Sequence, residues 1–587
     1  MHVLGISCYY HDAGAALLSD GDLVAAAEEE RFNRQKHYNG FPACAVRYCL
    51  EEAGLRIEDV DHVIFYEKPL VKFARILETI LAEWPKSYRL WVNSMPLWVG
   101  QKLDHRRLIQ KALETDKPIL FCPHHISHAA SAFLPSGFDE AAILTADGVG
   151  EWTSTAWGVG RGTSIELHKE IRFPHSVGLL FSTITAYLGF RVNDAEWKVM
   201  GLAPYGRPRY VDQFREVVDI KDDGSFRLNM KYFAHTYSTQ RPFNRRWVQL
   251  FGQPQRHPEA ELTEFHSDIA HSGQKIVEEI LVKMARHIHD VTKMDSICIA
   301  GGVGLNSVAN WRILQEAGFK RVFIQPAAGD SGGALGAALY LYHTILKQPR
   351  KLVLRHACFG PAYSDAEIQE TLTKNGARYA VFDREEDLLE QTARWIVDGK
   401  VIGWFQGRLE FGPRALGSRS IVADARNPKM KDIINAKVKF REAFRPFAPS
   451  VLKEQAHEYF EMPPGMDAPF MLLVPPVRPE KRSVIPAVTH QDGTGRVQTV
   501  TDEFNGRFYR LIRTFGKLTG VPVVINTSFN VRGEPIVCTP QDAYHTFMNT
   551  GIDILVIGNC ALHEKIAPID LEAGMQRSIE LEKARLA

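Results

Sequence analysis

One pattern occurs twice in the sequence and constrains the fold more than any other: an apolar strand, a turn containing Asp-Gly and a second apolar strand. It runs through VLGISCYY (residues 3–10) and AALLSDGDLVAAAEEE (15–30), with a tight turn at Asp20-Gly21. It returns in AAILTADGVG (141–150) and TSTAWGVGRG (153–162). This weak self-similarity predicts a duplicated domain.

Helical and strand patterns alternate between and after these two segments. FPACAVRYCLEEAGL (41–55) has helical spacing, and VDHVIFY (60–66) is typical of a strand. SICIAGGVGLNSVANWRILQEAG (296–318) predicts a strand, a Gly-rich turn and a helix, and residues 320–346 repeat that order. The sequence therefore predicts an α/β architecture.

The chain is too long, at 587 residues, for one ordinary core. KQPRK (347–351) is a plausible linker, and a second α/β region follows it, with residues 401–426 and 521–537 as its most distinctive segments. We expect two domains, 1–346 and 352–587. The C-terminal EAGMQRSIELEKARLA (572–587) predicts a charged surface helix.

Composition excludes several classes of protein. A net charge of +1 gives no general electrostatic footprint for nucleic acid or an anionic membrane. The N-terminus lacks a basic region and carries His11 and Asp12 in its apolar stretch, which disfavours a signal peptide, and no apolar run is long enough to span a membrane. The eight cysteines form no CxxC pair, so we expect a reduced, cytoplasmic protein.

Two histidines and two aspartates are candidate metal ligands. His124 and His128 are four residues apart, on one face if their segment is helical, and imidazoles at this spacing bind transition metals. Asp147 and Asp330 sit beside glycine turns at predicted strand ends, where carboxylates commonly meet metal and phosphate. The alternative is that the histidines are ordinary core residues and the aspartates cap turns.

Two Gly-rich loops could approach phosphate groups. Gly301, Gly302 and Asn306 lie in GGVGLNS, which opens a predicted helix, and residues 329–333 form the second loop. Neither loop matches the Walker A or GxGxxG pattern. Tight strand-to-helix packing is the alternative, but two such loops beside two Asp-Gly turns favour a nucleotide site.

The second half of the chain concentrates arginines, whose planar guanidinium grips phosphate or carboxylate oxygens in two places at once. These candidates are Arg408, Arg414, Arg419, Arg426, Arg441, Arg445 and Arg496. A solvated basic face is the alternative. The interleaved Phe and Pro residues suit the walls of a pocket better, and Asn526 and Ser528 add small polar groups that could orient a planar amide.

These segments together resemble the family of O-carbamoyltransferases that includes the nodulation-factor, cephamycin, novobiocin and tobramycin enzymes. The resemblance runs nearly end to end, through YYHDAGAALL, EEERFNRQKH, HHISHAASAF, ADGVGEWTS, EWKVMGLAPYG, GGVGLNS, PAAGDSGGALGAA, FGPRALGSRSI, FRPFAPS and NTSFNVRGEPIV. Each segment alone is modest support, but all ten in this order are highly specific.

The resemblance implies a duplicated actin-like ATPase domain, followed by a smaller α/β domain similar to the YrdC type. It implies that carbamoyl phosphate and ATP give carbamoyl-adenylate, whose carbamoyl group passes to a hydroxyl of a natural product or sugar. A homodimer is compatible with this scheme. The implied metal is iron on His124, His128, Asp147 and Asp330. The implied contacts to ATP or adenylate are Gly178, Gly301, Gly302, Asn306 and Ser331. The implied carbamoyl-phosphate contacts are Arg414, Arg445, Arg496, Asn526 and Ser528.

The transfer step needs a base to take the alcohol proton, and His11 is the candidate, with a purely structural histidine as the alternative. Lys36 could contact the adenylate. The aromatic residues Trp84, Tyr88, Trp91 and Trp98 could form acceptor walls or helix core. Two other functions stay open: a tRNA-directed threonylcarbamoyl-type transferase, disfavoured by the neutral charge, and a non-catalytic nucleotide-binding regulator, disfavoured by the second arginine-rich region.

Overall fold

The computed structural model describes residues 1–100, 102–565, 576 and 580. They form two compact units: Met1–Glu29 with His37–Leu354, and Glu30–Lys36 with the chain from Arg355 onward. The expected domains were 1–346 and 352–587. Residues 347–354 lie with the first unit, where the Arg350 guanidinium donates hydrogen bonds to four backbone carbonyls, and residues 30–36 lie with the second. The helix expected at 572–587 lies outside the described residues, apart from Gln576 and Glu580.

The first half of the first unit begins with β1 (His2–Ser7), β2 (Gly14–Ser19) and β3 (Asp22–Glu28). The next helix in the chain, α1 (Glu30–Asn33), belongs to the second unit. The first unit continues with α2 (Ala43–Glu52), β4 (His62–Phe65), α3 (Pro69–Ala82), α4 (Tyr88–Gly100), α5 (His105–Leu113), β5 (Ile119–Phe121) and α6 (His124–Phe133). The predicted first strand and hairpin are in fact three strands, because the loop around His11 separates β1 from β2. The tight turn at Asp20-Gly21 joins β2 to β3, and both of its residues have positive φ.

The second half of the first unit contains β6 (Glu140–Ala146), β7 (Thr153–Arg161), β8 (Ser164–Arg172), α7 (Val177–Tyr187), α8 (Glu196–Leu202), α9 (Val211–Val217), β9 (Val218–Ile220), β10 (Phe226–Leu228), α10 (Arg245–Phe251), α11 (Glu264–Thr292), β11 (Ser296–Ala300), α12 (Ser307–Glu316), β12 (Arg321–Ile324) and α13 (Asp330–Leu339). Among the described residues, no helix combines the length and apolarity needed to cross a membrane.

The two halves have the same sheet topology. The first sheet has the order β3-β2-β1-β4-β5 and the second β8-β7-β6-β11-β12. In each, the first strand in sequence pairs antiparallel with the second and parallel with the fourth or its equivalent; Val3 faces His62 in one sheet, and Ala142 faces Ile297 in the other. This repetition confirms the predicted duplication and is the sheet topology that a duplicated actin-like domain requires.

The second unit is an α/β structure around one eight-stranded sheet with the order β13-β20-β19-β14-β15-β18-β16-β17. Its elements are α14 (Asp365–Lys374), β13 (Ala380–Val381), α15 (Glu385–Val397), β14 (Ile402–Phe405), β15 (Arg419–Asp424), α16 (Met430–Ile434), β16 (Ala448–Leu452), α17 (Ala456–Tyr459), β17 (Gln498–Val500), α18 (Asp502–Thr519), β18 (Val523–Ser528), α19 (Pro540–Met548), β19 (Ile554–Ile557) and β20 (Cys560–Leu562). Apolar residues of α15 and α18 pack on the sheet around Trp404. Its likeness to the YrdC type stays a prediction.

Candidate functional site

The carboxyl ends of the parallel strands in both halves of the first unit carry its polar side chains. Asp147 follows β6 directly, His124 begins α6 just after β5, and Asp330 begins α13 a few residues beyond β12. His11 lies in the loop after β1, four residues beyond the strand's end. Ligands of open α/β sheets bind at these strand ends, so the fold places the candidate residues where a site is expected.

His124, His128, Asp147 and Asp330 come together as a buried tetrad. One ligand atom from each residue lies within 4.8 Å of all the others. His124 Nε2 is 3.2 Å from Asp147 Oδ2 and 3.1 Å from His128 Nε2, and His128 Nε2 is 3.6 Å from Asp330 Oδ1. Two imidazole nitrogens and two carboxylate oxygens thus point at one small volume, which is the donor set of a transition-metal site.

Close packing of α6 against α13 sets this geometry. A Cβ atom built on Gly336 would lie only 1.8 Å from the carbonyl oxygen of Ser127, so any side chain there would push the two helices apart. Because α6 carries both histidines and α13 begins with Asp330, Gly336 determines how close the imidazoles come to that carboxylate.

The electrostatics of the tetrad favour a cation. Burial alone would lower the pKa of His124, but Asp330 and Asp147 outweigh it and raise that pKa to about 9. Burial would raise the pKa of Asp147 and of Asp330, yet the neighbouring histidines hold both below the ordinary value. Asp330 Oδ1 is buried and has no hydrogen-bond partner among the described residues. Both carboxylates are therefore ionised, and one oxygen is left to bind a ligand.

Two further residues support the tetrad and were missed by the sequence analysis. The Tyr66 hydroxyl donates a hydrogen bond of 3.1 Å to Asp330 Oδ2, and the Glu151 carboxylate accepts the backbone N–H of His124 at 3.0 Å. Tyr66 directly follows β4, and Glu151 lies in the ADGVGE segment, so the rule that polar groups gather at strand ends could have found both.

His11 lies beside the tetrad within a chain of hydrogen bonds. Its Nε2 is 3.9 Å from Asp330 Oδ2, and its Nδ1 is 2.9 Å from Asp12 Oδ2. Asp12 also bonds His37 at 2.6 Å, and His37 bonds Asp194 at 2.8 Å. Burial would lower the pKa of His11, but Asp330 and Asp12 raise it to about 9. The chain fixes the orientation of the His11 ring.

The glycines predicted to contact nucleotide pack closely around Asp147. A Cβ on Gly178 would meet the Asp147 carbonyl oxygen at 2.5 Å, and one on Gly301, whose φ is +90°, would meet the Ala146 carbonyl oxygen at 2.2 Å. The Gly302 N–H donates to Asp147 Oδ1 at 3.0 Å. These glycines let the loops at two strand ends approach each other, and Gly302 orients the aspartate directly.

Asn306 and Ser331 are both buried. The Asn306 side chain caps α12 by accepting the Ala309 N–H at 3.2 Å, and it pairs with the Gln274 side chain of α11 through two hydrogen bonds of 3.0 and 3.1 Å. Ser331 lies in the first turn of α13, and its hydroxyl donates to Glu28 at 3.4 Å. Asn306 therefore also has a structural role that joins α11 to α12.

The second unit contains a separate cationic cluster around Arg414 and Arg496. Burial and the adjacent Arg496 hold the pKa of Arg414 well below its ordinary value, and burial lowers the pKa of Arg496 to about 10. The Nε atoms of both guanidinium groups are buried without a hydrogen-bond partner among the described residues. Two like charges held this way favour an anionic ligand.

Arg445 belongs to the same cluster, together with Arg441, which the sequence analysis also named as a candidate, and Lys439, which it did not. Arg445 forms an ion pair with Glu442. Burial and Arg445 lower the pKa of Arg441, and burial, Arg441 and Arg445 lower that of Lys439. Lys439 donates to Asn530 Oδ1 at 2.8 Å. Lys439 is thus an additional candidate for anion binding, beside Arg441; both lie in the KFREAFRPF segment.

Asn526 and Ser528 lie on β18, at the edge of this cluster. The Asn526 amide donates to Gln498 at 2.9 Å, while its Oδ1 is buried without a hydrogen-bond partner among the described residues. The Ser528 hydroxyl donates to Asn530 at 2.7 Å. Asn526 therefore has an acceptor directed inside the unit, as recognition of an amide N–H requires.

The other arginines of the motif hold the second unit together. Arg419 is fully buried, lies over the Phe405 ring and donates to backbone carbonyls, as Arg408 does to Gly360 and Phe359. Arg426 pairs with Asp424. Glu410 accepts the backbone N–H groups of residues 416, 418 and 419 and so folds the loop that carries Arg414.

Lys36 lies in the 30–36 segment of the second unit, half-buried.

Comparisons with known proteins identify the family of this chain. The family model described as Carbamoyltransferase N-terminus matches residues 2–339, and that described as Carbamoyltransferase C-terminus matches residues 393–564. The chain is 48% identical to the uncharacterized protein sll1178 of Synechocystis sp. over 97% of each chain. It is 39% identical to nodulation protein NolNO of Sinorhizobium fredii, over 95% of this chain and 80% of that one, and 40% identical to nodulation protein NolO of Bradyrhizobium diazoefficiens, over 76% and 79%. The chain belongs to the carbamoyltransferase family and is a transferase.

Proposed function

We propose that this carbamoyltransferase is ATP-dependent and acts on a hydroxyl group of a small molecule, a natural product or a sugar. Carbamoyl phosphate, ATP and water would give carbamoyl-adenylate, pyrophosphate and phosphate. The acceptor oxygen would then form a bond to the carbamoyl carbon while AMP leaves. The first reaction is assigned to the second unit and the transfer to the first.

The observation that carries this proposal is the pair of arginines in the second unit. Arg414 and Arg496 have buried Nε atoms without a hydrogen-bond partner among the described residues, next to Arg441 and Arg445. Desolvated like charges destabilise a fold unless an anion is bound between them. Carbamoyl phosphate supplies phosphate oxygens for the guanidinium groups and an amide N–H for the acceptor on Asn526.

Adenylation has a chemical reason. A neutral hydroxyl is a weak nucleophile, and carbamoyl phosphate alone is a poor partner for it. Converting the phosphate into an adenylate gives a better leaving group, and the cationic cluster can stabilise negative charge as it develops on the phosphate oxygens. The glycine loops around Gly178, Gly301 and Gly302, with Asn306 and Ser331, are proposed to bind the nucleotide in the first unit.

The tetrad in the first unit fits a transition metal, and we propose iron, with manganese or zinc also suited to two imidazoles and two carboxylates. His124, His128, Asp147 and Asp330 would hold the ion. The buried Oδ1 of Asp330, which has no hydrogen-bond partner among the described residues, supports that assignment. A bound cation supplies positive charge that offsets negative charge on the nucleotide's phosphates.

His11 is proposed to accept the proton of the acceptor hydroxyl, since its ring is oriented by Asp12 and lies beside the tetrad. Of the carboxylates that raise its pKa, Asp330 and Asp147 would hold the metal, whereas Asp12 bonds the ring. Positive charge bound there favours the neutral imidazole, which is the form a general base needs. Lys36 is proposed to contact the adenylate.

Pyrophosphate release from ATP tests the proposal. We expect release that depends on carbamoyl phosphate even without an acceptor, and no release from a nucleotide-binding regulator. Incubation with extracts of the producing cell, carbamoyl phosphate and ATP should then give a product heavier by one carbamoyl group. Carbamoylation of tRNA in place of a small molecule would contradict the proposed acceptor class.

A further inference from the structure

The first half of the first unit contains an insertion that its duplicate lacks. Residues 66–118 connect β4 to β5, whereas residues 301–320 make the equivalent connection from β11 to β12 with the single helix α12. The longer connection contains α3, α4 and α5. Since the second half closes its sheet without such helices, the sheet itself does not require them.

The inserted helices have a small core of their own. Ile80, Met95 and Trp98 are buried against one another, and Phe73 and Leu90 are among the partly buried residues around them. Trp98, one of the four aromatic residues considered as acceptor walls, is therefore part of this helix core. The insertion is a packed structure that can present a stable outer surface.

The outer surface of α4 is apolar. Tyr88, Val92, Pro96 and Val99 are exposed at spacings of three and four residues and so share one helix face. Val99 is 65% exposed, and Trp91 and Leu97 are also exposed, on other sides of the helix. Further exposed apolar side chains lie next to α4 in the chain or on α3: Leu70, Val71, Leu81 and Trp84. An exposed apolar patch of this kind marks an interaction site.

The segment around this surface is strongly basic. Between Trp84 and Lys111 the sequence contains six lysines and arginines and a single acidic residue, Asp104, although the whole chain has 70 basic and 69 acidic residues. Arg89 at the start of α4, and Arg106 and Lys111 on α5, are exposed. The near-neutral charge of the whole chain therefore hides a local excess of positive charge.

We propose that α4 and α5 form a docking surface for an anionic lipid bilayer, with the apolar face of α4 inserted among the headgroups. Exposed Trp and Tyr side chains flanked by lysine and arginine are typical of helices that lie in the membrane interface. Basic side chains gain energy from the negative potential of an anionic leaflet. Across a two-fold interface with a second copy, the same basic residues would face each other, which disfavours self-association.

Vesicle co-sedimentation of the full chain tests this proposal. We expect binding to phosphatidylcholine vesicles that contain phosphatidylglycerol, weak binding to phosphatidylcholine alone, and release by salt. Val92→Glu with Val99→Glu, both on the exposed apolar face of α4, should abolish binding. Arg89→Gln, Arg106→Gln and Lys111→Gln together should weaken it by more than tenfold, because each basic residue contributes roughly fivefold.

Val397→Glu, at an exposed apolar residue of the second unit, is the matched control and should bind like the unchanged chain. Thermal unfolding of each variant checks that the fold is intact. Three outcomes would overturn the proposal: no binding to anionic vesicles, binding that the α4 substitutions leave unchanged, or, without lipid, concentration-dependent self-association that the same substitutions remove, which would assign the surface to a second copy.

Discussion

Two buried clusters of opposite charge lie in the two units, and their histidines show the contrast most directly. In the first unit, burial opposes but does not outweigh the effect of Asp330 and Asp147, and the pKa of His124 rises to about 9. In the second, burial and the neighbouring Arg496 and Lys431 prevail over Asp492, and the pKa of His490 falls to about 4. The pKa of a buried histidine is thus raised in the first unit and lowered in the second.

The difference shows what each cluster can bind. Buried carboxylates that keep their charge attract a cation, and buried guanidinium groups such as those of Arg414 and Arg496 attract an anion. A carbamoyltransferase that forms an adenylate needs both, because it must bind phosphate groups and also transfer the carbamoyl group to an alcohol. If the division of work is right, substitutions in one cluster should spare the reaction of the other.

The largest expected effect is on the transfer step. His11→Ala should lower carbamoyl transfer to the acceptor by roughly 10²–10⁴-fold, the usual contribution of a general base. Carbamoyl-phosphate-dependent pyrophosphate release should stay nearly unchanged, since the proposed role of His11 begins when the alcohol arrives. Comparing the two rates in one preparation is the measurement, and equal loss of both would replace the two-site scheme by one composite site.

The metal ligands should show the next largest effect. His124→Ala and His128→Ala should each lower metal affinity by at least about 10²-fold while the fold survives, since even second-shell partners contribute about 10–100-fold. His125→Gln is the matched control on the same helix, because His125 bonds Thr145 and the Thr153 carbonyl instead of the tetrad. Elemental analysis of the purified variants measures this, and stoichiometric metal in both alanine variants would exclude these ligands.

The cationic cluster of the second unit gives the third prediction. Arg414→Ala should reduce pyrophosphate release by well over tenfold, because a buried charged contact contributes roughly 2–5 kcal/mol. Arg445→Ala should act in the same direction, yet both variants should transfer normally when carbamoyl-adenylate is supplied. Arg426→Ala, whose guanidinium already pairs with Asp424, should behave as the unchanged enzyme. Normal release from Arg414→Ala would mean that the anion binds elsewhere.

The fold and the four residues of the tetrad could be predicted from the sequence because both depend on local patterns. The duplication follows from strand and turn patterns, and the spacing of His124 and His128 places both on one face of α6. The pairing of Asn306 with Gln274, and the placement of residues 30–36 in the second unit, depend on contacts far apart in sequence. The same holds for the arginines: only their partners distinguish Arg414 from Arg419, although both lie in FGPRALGSRSI.

The smallest expected effect concerns stability and the second cluster alone. His490 has a folded pKa of about 4 against an ordinary value of 6.5, so between these values the unfolded chain binds more protons than the folded one. The contribution of His490 to stability is therefore present above pH 6.5 and is lost as the pH falls towards 4. The measurement is the free energy of unfolding of the second unit by urea in the full chain, at pH 7 and at pH 4.5. Its decrease between the two pH values should be about 1–3 kcal/mol larger for the unchanged chain than for His490→Gln. The carboxylates titrate in both proteins, so their contribution cancels in the comparison. Equal losses in the two proteins would show that Arg496 and Lys431 do not oppose a proton there, and the contrast with His124 would then rest on the first unit alone.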